Sequence, residues 1–190
     1  YLSVFVPNSD LLLVERASIL CKADLTTALV EELPELQGIA GYYYALKSGE
    51  VSEVAVAIRD HYMPIGSSGK IPTEPITVSV ALADKLHSLV ALFVAGERPS
   101  GSKDPYALRR LAIAIIHIIL ANKLNISLRL VVEFTIHQYS SLIKKKYKSS
   151  KGSKFEYQEF QIITQVLDFI VEKFYGVMNS KGITSDFVDA

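Results

Sequence analysis

Apolar residues recur along most of this chain at three- and four-residue steps, and no run alternates with the two-residue period of a strand. The clearest stretch lies between Val80 and Arg110. Leu82, Ala83, Leu86, Leu89, Val90, Phe93 and Val94 lay down one broad apolar face, interrupted by Asp84, Lys85, His87 and Ser88. A turn follows from Pro99 to Asp104, where Gly101 is free to take a positive φ. Asp104-Pro105 then predicts a helix start, with the Asp accepting orphan amides and the Pro fitting the first turn. Beyond Arg109 and Arg110, LAIAIIHIILA has too few polar positions for a solvated face and must be buried almost all round.

The rest of the chain repeats the pattern. Ser9 or Asp10 caps a helix predicted over LLLVERASILCKADLTTALVEEL, with Lys22 and Asp24 embedded in it. Pro34 ends that helix and opens the next, ELQGIAGYYYALKSG, where Gly38 and Gly41 permit close approach of a neighbour. Glu50 to Met63 forms another helix, with Asp60-His61 at its end and Pro64 beyond. A Gly/Ser/Pro loop covers Ile65 to Pro75. Further helices run from Leu128 to Lys146 and from Tyr157 to Met178, the second with an apolar face through Phe160, Ile163, Val166, Leu167, Ile170, Val171 and Phe174. A basic loop, KYKSSKGSKFE, separates them. Gly182 ends the last long helix, and Ser185 caps a further one begun over 183–190. The expected fold is all-α: about eight helices in one globular domain over residues 1–190.

Composition narrows the function. Twenty acidic and twenty basic residues cancel, so no global field draws in nucleic acid or a membrane, and RNA contact requires a local patch. The single Cys21 rules out an intrachain disulfide. The N-terminus does not read as a signal peptide, and Leu111 to Ala121 is too short to span a bilayer. The expectation is a cytoplasmic protein without membrane or DNA partners. The chain opens at Tyr1 without a Met and stops in what reads as a helix just begun, so a fragment of a longer protein is expected.

Three groups of residues carry candidate chemistry. Lys103, Arg109 and Arg110 fall within eight residues at a helix start, where amides and cations suit phosphate, although Asp104 competes for the same amides. Six lysines between Lys144 and Lys154, with no acid among them, form either a solvated loop or a nonspecific phosphate contact. Tyr42, Tyr43 and Tyr44 read as core before base-stacking residues. No P-loop, dinucleotide fingerprint or nucleophile elbow is present.

GSKDPYALRR, with LADKLHSLVALF upstream, closely resembles the beta subunit of the bacterial two-subunit glycine–tRNA ligase. KADLTTALVEELPELQGIAGYYYAL and DHYMP extend the resemblance backwards, and GITSDFVDA carries it to the end. His87 and Tyr42 depart from the family pattern, which has Asp and Arg there. The resemblance implies a central helical domain of a class II aminoacyl-tRNA synthetase subunit that supports docking of tRNA(Gly). The alpha subunit, the expected partner, would use ATP with magnesium to activate glycine, so this chain would hold no aminoacylation site and no cofactor.

ALADKLHSLVAL also resembles the last motif of metal-dependent HD phosphohydrolases, which implies a degenerate HD-like fold. Of that cradle, Asp84, alone or with Asp24, remains as a ligand type, His87 keeps the hydrolase pattern, and Lys22 stands where a ligating His is required. A cation there repels a metal. The expectation is an ion pair of Lys22 or an Arg with Asp24 or Asp84, and no metal. A nucleotide phosphohydrolase and an inert helical spacer remain the alternative functions.

Overall fold

In a computed structural model of the chain, residues 1–66, 69–99, 103–146 and 153–183 are described. They are all-α, and no strand forms among them. In chain order the α-helices are α1 (Leu11–Leu20), α2 (Ala28–Glu32), α3 (Ile39–Lys47), α4 (Ser52–Asp60), α5 (Pro75–Ala95), α6 (Leu108–Ala121), α7 (Leu128–His137), α8 (Ser140–Lys146) and α9 (Ser153–Ser180). Short 3-10 turns lie at Leu2–Phe5, Ala23–Thr26 and Pro34–Leu36.

The described residues divide into two compact units. The first comprises residues 1–84 and 117–125, the second residues 85–116 and 126–190. The first half of α5 thus belongs to one unit and the second half to the other.

In the first unit α1, α3 and α4 pack around Ala17, Cys21, Ala45, Val54, Ala55, Ala57, Ile58, Ile76 and Val80. Small residues dominate, so the helices approach closely. Gly41 shows how closely: a Cβ there would lie 2.7 Å from Ile58 Cγ2. The two-glycine spacing therefore marks a close approach, as expected. Asp10 caps α1, its Oδ1 accepting the Leu12 and Leu13 amides at 2.8 and 3.1 Å.

The helix expected over residues 11–33 is broken. It stops at Cys21, passes through the Ala23–Thr26 turn, and restarts at Ala28 with Thr27 Oγ1 capping Val30. Helical period alone does not reveal the break, because Lys22 and Asp24 each leave the helix path for a tertiary partner. Pro34 opens the 3-10 turn and not α3, which starts only after Gly38 has taken φ 79°. The helix expected from Glu50 to Met63 is shorter, Ser52–Asp60, with a cis Met63–Pro64 bond beyond it.

In the second unit Leu86, Leu89, Val90 and Phe93 of α5 are buried, as are Leu108, Ala112 and Ile115 of α6 and Val131, Val132 and Ile136 of α7. The helix expected from Leu128 to Lys146 is two, α7 and α8, separated at Gln138 and Tyr139. On α9 the buried positions are Ile162, Val166, Ile170, Val177 and Met178, while Phe160 and Val171 are exposed, so the apolar face is rotated from the expected one. The helix also begins at Ser153, inside the expected basic loop, and Gly182 follows its end with φ 78°. Gly101, residues 147–152 of the lysine run (with Lys148 and Lys151) and Ser185 lie outside the described residues. By length and composition α5 could cross a membrane, but most of it is buried within the protein, as the core helix of a globular body is.

Candidate functional site

Asp24 is the most unusual buried group. It lies in the 3-10 turn, is 2% exposed, and its Oδ2 accepts the backbone amides of Gly38 at 2.6 Å and Gly41 at 3.2 Å. Those amides belong to the first turn of α3, whose N-cap Gly38 has no side chain to satisfy them. Asp24 is therefore a helix cap supplied from another segment, and its negative charge also suits the positive end of α3. Gly38 fits because its φ of 79° and the Arg59 carbonyl, 3.0 Å from where a Cβ would sit, both exclude a larger residue. Asp24 Oδ1 has no hydrogen-bond partner among the described residues.

Lys22, two residues earlier, forms an ion pair with Asp84 Oδ1. Of the pairings the sequence left open, this is the one that forms. The pair is half exposed on the lysine side, so its contribution to stability is about 1 kcal/mol or less. Lys22 thus occupies the carboxylate that the HD pattern would give to a metal. Among the described residues no three His, Cys, Asp or Glu side chains are grouped as a metal shell requires. His87 has a different partner: its Nε2 lies 2.6 Å from the Tyr139 hydroxyl in the second unit. The residues of the HD-like motif are therefore split between two local arrangements.

The surroundings of Asp24 and Asp84 favour neutral neighbours. Burial pushes the Cys21 thiol above its ordinary value, and the Asp84 charge adds to this. Burial likewise pushes the Tyr62 hydroxyl up to about 12, reinforced by the charges of Asp24 and Asp84. The folded state thus holds Tyr62 protonated more tightly than the unfolded chain does. Its contribution to stability is complete below pH 10 and is lost as pH rises from 10 towards 12. Denaturant unfolding of the wild type and Tyr62→Phe should therefore show a wild-type stability that falls away relative to the variant only in that alkaline window. His61 is fully buried, with Nδ1 2.8 Å from the Ile58 carbonyl. Tyr42 packs against the core, but Tyr43 and Tyr44 are exposed, contrary to the expectation for the three tyrosines.

The second candidate group lies at the start of α6. The helix begins at Leu108, four residues beyond Asp104, yet Asp104 still caps it: Oδ1 accepts Leu108 N at 2.8 Å and Oδ2 accepts Arg109 N at 3.1 Å. Ala107, at φ 58°, bends the chain so that the carboxylate reaches forward. Two amides of the helix start are consequently taken, and an anion arriving here would meet chiefly side-chain cations. Lys103 and Arg110 are exposed. Arg109 is half-buried and lines a groove of about 710 Å³ with Arg98 and Lys173, and with Asp168 and Glu172 on the same walls. Arg98 lies over the Phe93 ring at 4.1 Å and Lys173 over Phe169 at 5.2 Å. Sequence reasoning missed Arg98 and Lys173, because nothing in their local spacing links them to Arg109.

Fold and sites together define an all-α protein whose buried carboxylates hold its own backbone and lysine. Comparison with known proteins is specific: the chain belongs to the glycyl-tRNA synthetase beta subunit family, whose family model matches residues 3–190. It is 42% identical over 168 residues to the glycine–tRNA ligase beta subunit of Stutzerimonas stutzeri (strain A1501), covering 88% of this chain and 22% of that protein. It is also 42% identical over 177 residues to the corresponding subunit of Syntrophomonas wolfei, covering 93% of this chain and 24% of the relative. For the Pseudomonas fluorescens (strain SBW25) subunit the identity is 39% over 168 residues, again 88% and 22%. The chain thus spans less than a quarter of the length of these relatives. The resemblance carried by GSKDPYALRR and its neighbours is borne out.

Proposed function

We propose that this chain supports docking of tRNA(Gly) within the beta subunit of a glycine–tRNA ligase, alongside an alpha subunit that activates glycine with ATP. On this reading it has no aminoacylation site of its own. Family membership gives the context, and the capping geometry at α6 carries the residue-level reading. Asp104 accepts the Leu108 and Arg109 amides, so Lys103 and Arg110 are not needed to satisfy them. Exposed Lys103 and Arg110 suit the charge of a phosphate backbone, with no means of reading sequence. Asp168 and Glu172 break the positive field of the neighbouring groove, so the outer pair is the better phosphate contact. Lys22, Asp24 and Asp84 are on this reading the remains of an HD-type cradle converted to structural use. The Lys22–Asp84 pair weighs against the phosphohydrolase alternative.

The test uses the assembled two-subunit enzyme. Lys103→Ala and Arg110→Ala should each weaken tRNA binding and lower the slope of log affinity against log salt by about one unit, with the melting temperature nearly unchanged. Arg109→Ala should cost stability as well, since that side chain is half-buried in its groove. Salt slopes identical to wild type for all three would identify the α6 start as structural and defeat the docking proposal.

A further inference from the structure

Helix α3 is apolar on both sides. Gly41 and Ala45 are buried and face inwards, Gly41 towards Ile58 and Asp24. At about 100° per residue, Ile39, Tyr43 and Leu46 fall on the opposite side, and they are exposed. Lys47, the last residue, is the only charged side chain of the helix. Leu25, Leu29 and Leu33, at four-residue steps in the preceding segment, are exposed as well. That segment packs on α3 through the Ala23–Thr26 turn and is fastened to it by the bonds of Asp24. Each of the six side chains is between 38% and 64% exposed. A helix on a water-facing surface carries polar residues outwards, and one that is apolar all round is a buried helix. Single apolar residues on a surface need no explanation, but six in one neighbourhood mark an interaction surface.

Charge narrows what covers this face. Between Ala23 and Leu46 the sequence has no lysine, arginine or histidine, whereas Glu31, Glu32 and Glu35 are exposed. Such a rim repels a phosphate backbone, so the face is not a further RNA contact. It suits a protein segment whose apolar stripe is flanked by lysine or arginine. Tyr43 is held in a fixed orientation for such a partner. Arg59 lies 4.9 Å from the centroid of the Tyr42 ring, and Tyr43 stands edge-on to that ring at 5.2 Å and 78°. A pre-positioned tyrosine is the kind of anchor on which interfaces concentrate their energy. Size then separates a tethered partner from a free one. Chains that associate stably as separate molecules present about 20–30 residues each. A six-residue face suits a segment of the same chain, because tethering holds it at an effective concentration in the millimolar range. The relatives have chain enough for this: the matched region is 22% of one subunit and 24% of another.

We propose that the face formed by Leu25, Leu29, Leu33, Ile39, Tyr43 and Leu46 docks another part of the same beta subunit, a segment with an apolar stripe flanked by basic residues. The outer side of α3 is then covered like its inner side, which accounts for a helix apolar all round. This rests on the chain being part of a beta subunit and not on tRNA docking. The cations at the start of α6 take no part, and the test needs no tRNA.

The experiment places the photo-cross-linker p-benzoylphenylalanine at Tyr43, and separately at Leu29, in the complete beta subunit, and identifies the joined peptides by mass spectrometry. Both positions are exposed, so the probe leaves the core intact, and circular dichroism checks that the subunit stays folded. The expected product is a cross-link within one beta chain, to a peptide outside these 190 residues that combines apolar positions with lysine or arginine. Its yield should not change on dilution or on adding the alpha subunit. Leu46→Glu, and Glu32→Lys combined with Glu35→Lys, should each lower the yield severalfold with helical content unchanged. Products formed only with the alpha subunit, or only with a second beta chain and lost on dilution, would assign the face to those partners and overturn the proposal. So would cross-links confined to residues 1–190, no cross-link from either position, or full yield in both variants.

Discussion

Asp24→Ala is expected to destabilise the first compact unit by about 3–5 kcal/mol, the largest single-residue effect anticipated in this chain. The carboxylate is 2% exposed and accepts two backbone amides through one oxygen. Hydrogen bonds to a charged group contribute about 1.5–3 kcal/mol each, and truncation leaves both donors buried without an acceptor. Water can enter the space only in part, which keeps the expected loss below the sum of the two upper limits. At this chain length the loss corresponds to a fall in melting temperature of roughly 10 °C. Asp24→Asn keeps an acceptor oxygen of the same shape and should lose only about 1–2 kcal/mol. Denaturant unfolding followed by circular dichroism checks both. If alanine costs less than about 1 kcal/mol, Asp24 does not hold the start of α3 and the account of this segment is wrong.

Gly41→Ala is expected to cost about 1–3 kcal/mol, although the same change in a helix interior ordinarily stabilises. Alanine has the better helix propensity by up to about 1 kcal/mol, so the sign depends on space. At Gly41 the added methyl would lie 2.7 Å from Ile58 Cγ2 and 3.1 Å from Asp24 Oδ2. Ile58 is 1% exposed in a core of small residues and has nowhere to retreat, and any shift of α3 would stretch the bonds to Asp24. Gly176 in α9 is the internal control. A Cβ there meets nothing within 4 Å, so Gly176→Ala should gain about 0.5–1 kcal/mol. Parallel melts of the two variants decide it, and a gain at both positions would show that α3 is less tightly packed than its geometry implies.

Both effects centre on a segment that sequence reasoning located but did not resolve. Period, caps and breakers were enough to reach the all-α fold, a cap at Ser9 or Asp10, the close approach at Gly38 and Gly41, and the capping role of Asp104. Each of these rests on short-range physics: neighbours three or four residues apart, an orphan amide and the oxygen nearest to it, or a missing Cβ. The family was legible for a different reason, since GSKDPYALRR and its flanks specify it directly.

What the tertiary structure alone decided concerns groups that are distant in the chain. Residues 11–33 have the period of one helix, yet the chain breaks at Cys21, because Asp24 is held by amides 14 and 17 residues away and Lys22 by Asp84. Asp24 and Asp84 were both open to Lys22, and only packing selected one. Arg109 shares a groove with Arg98 and Lys173 through contacts that no local spacing encodes. Helical period constrains the free energy of a turn of chain. Which buried charge meets which partner depends on desolvation and geometry summed over the whole core, and those are settled only once the helices are packed.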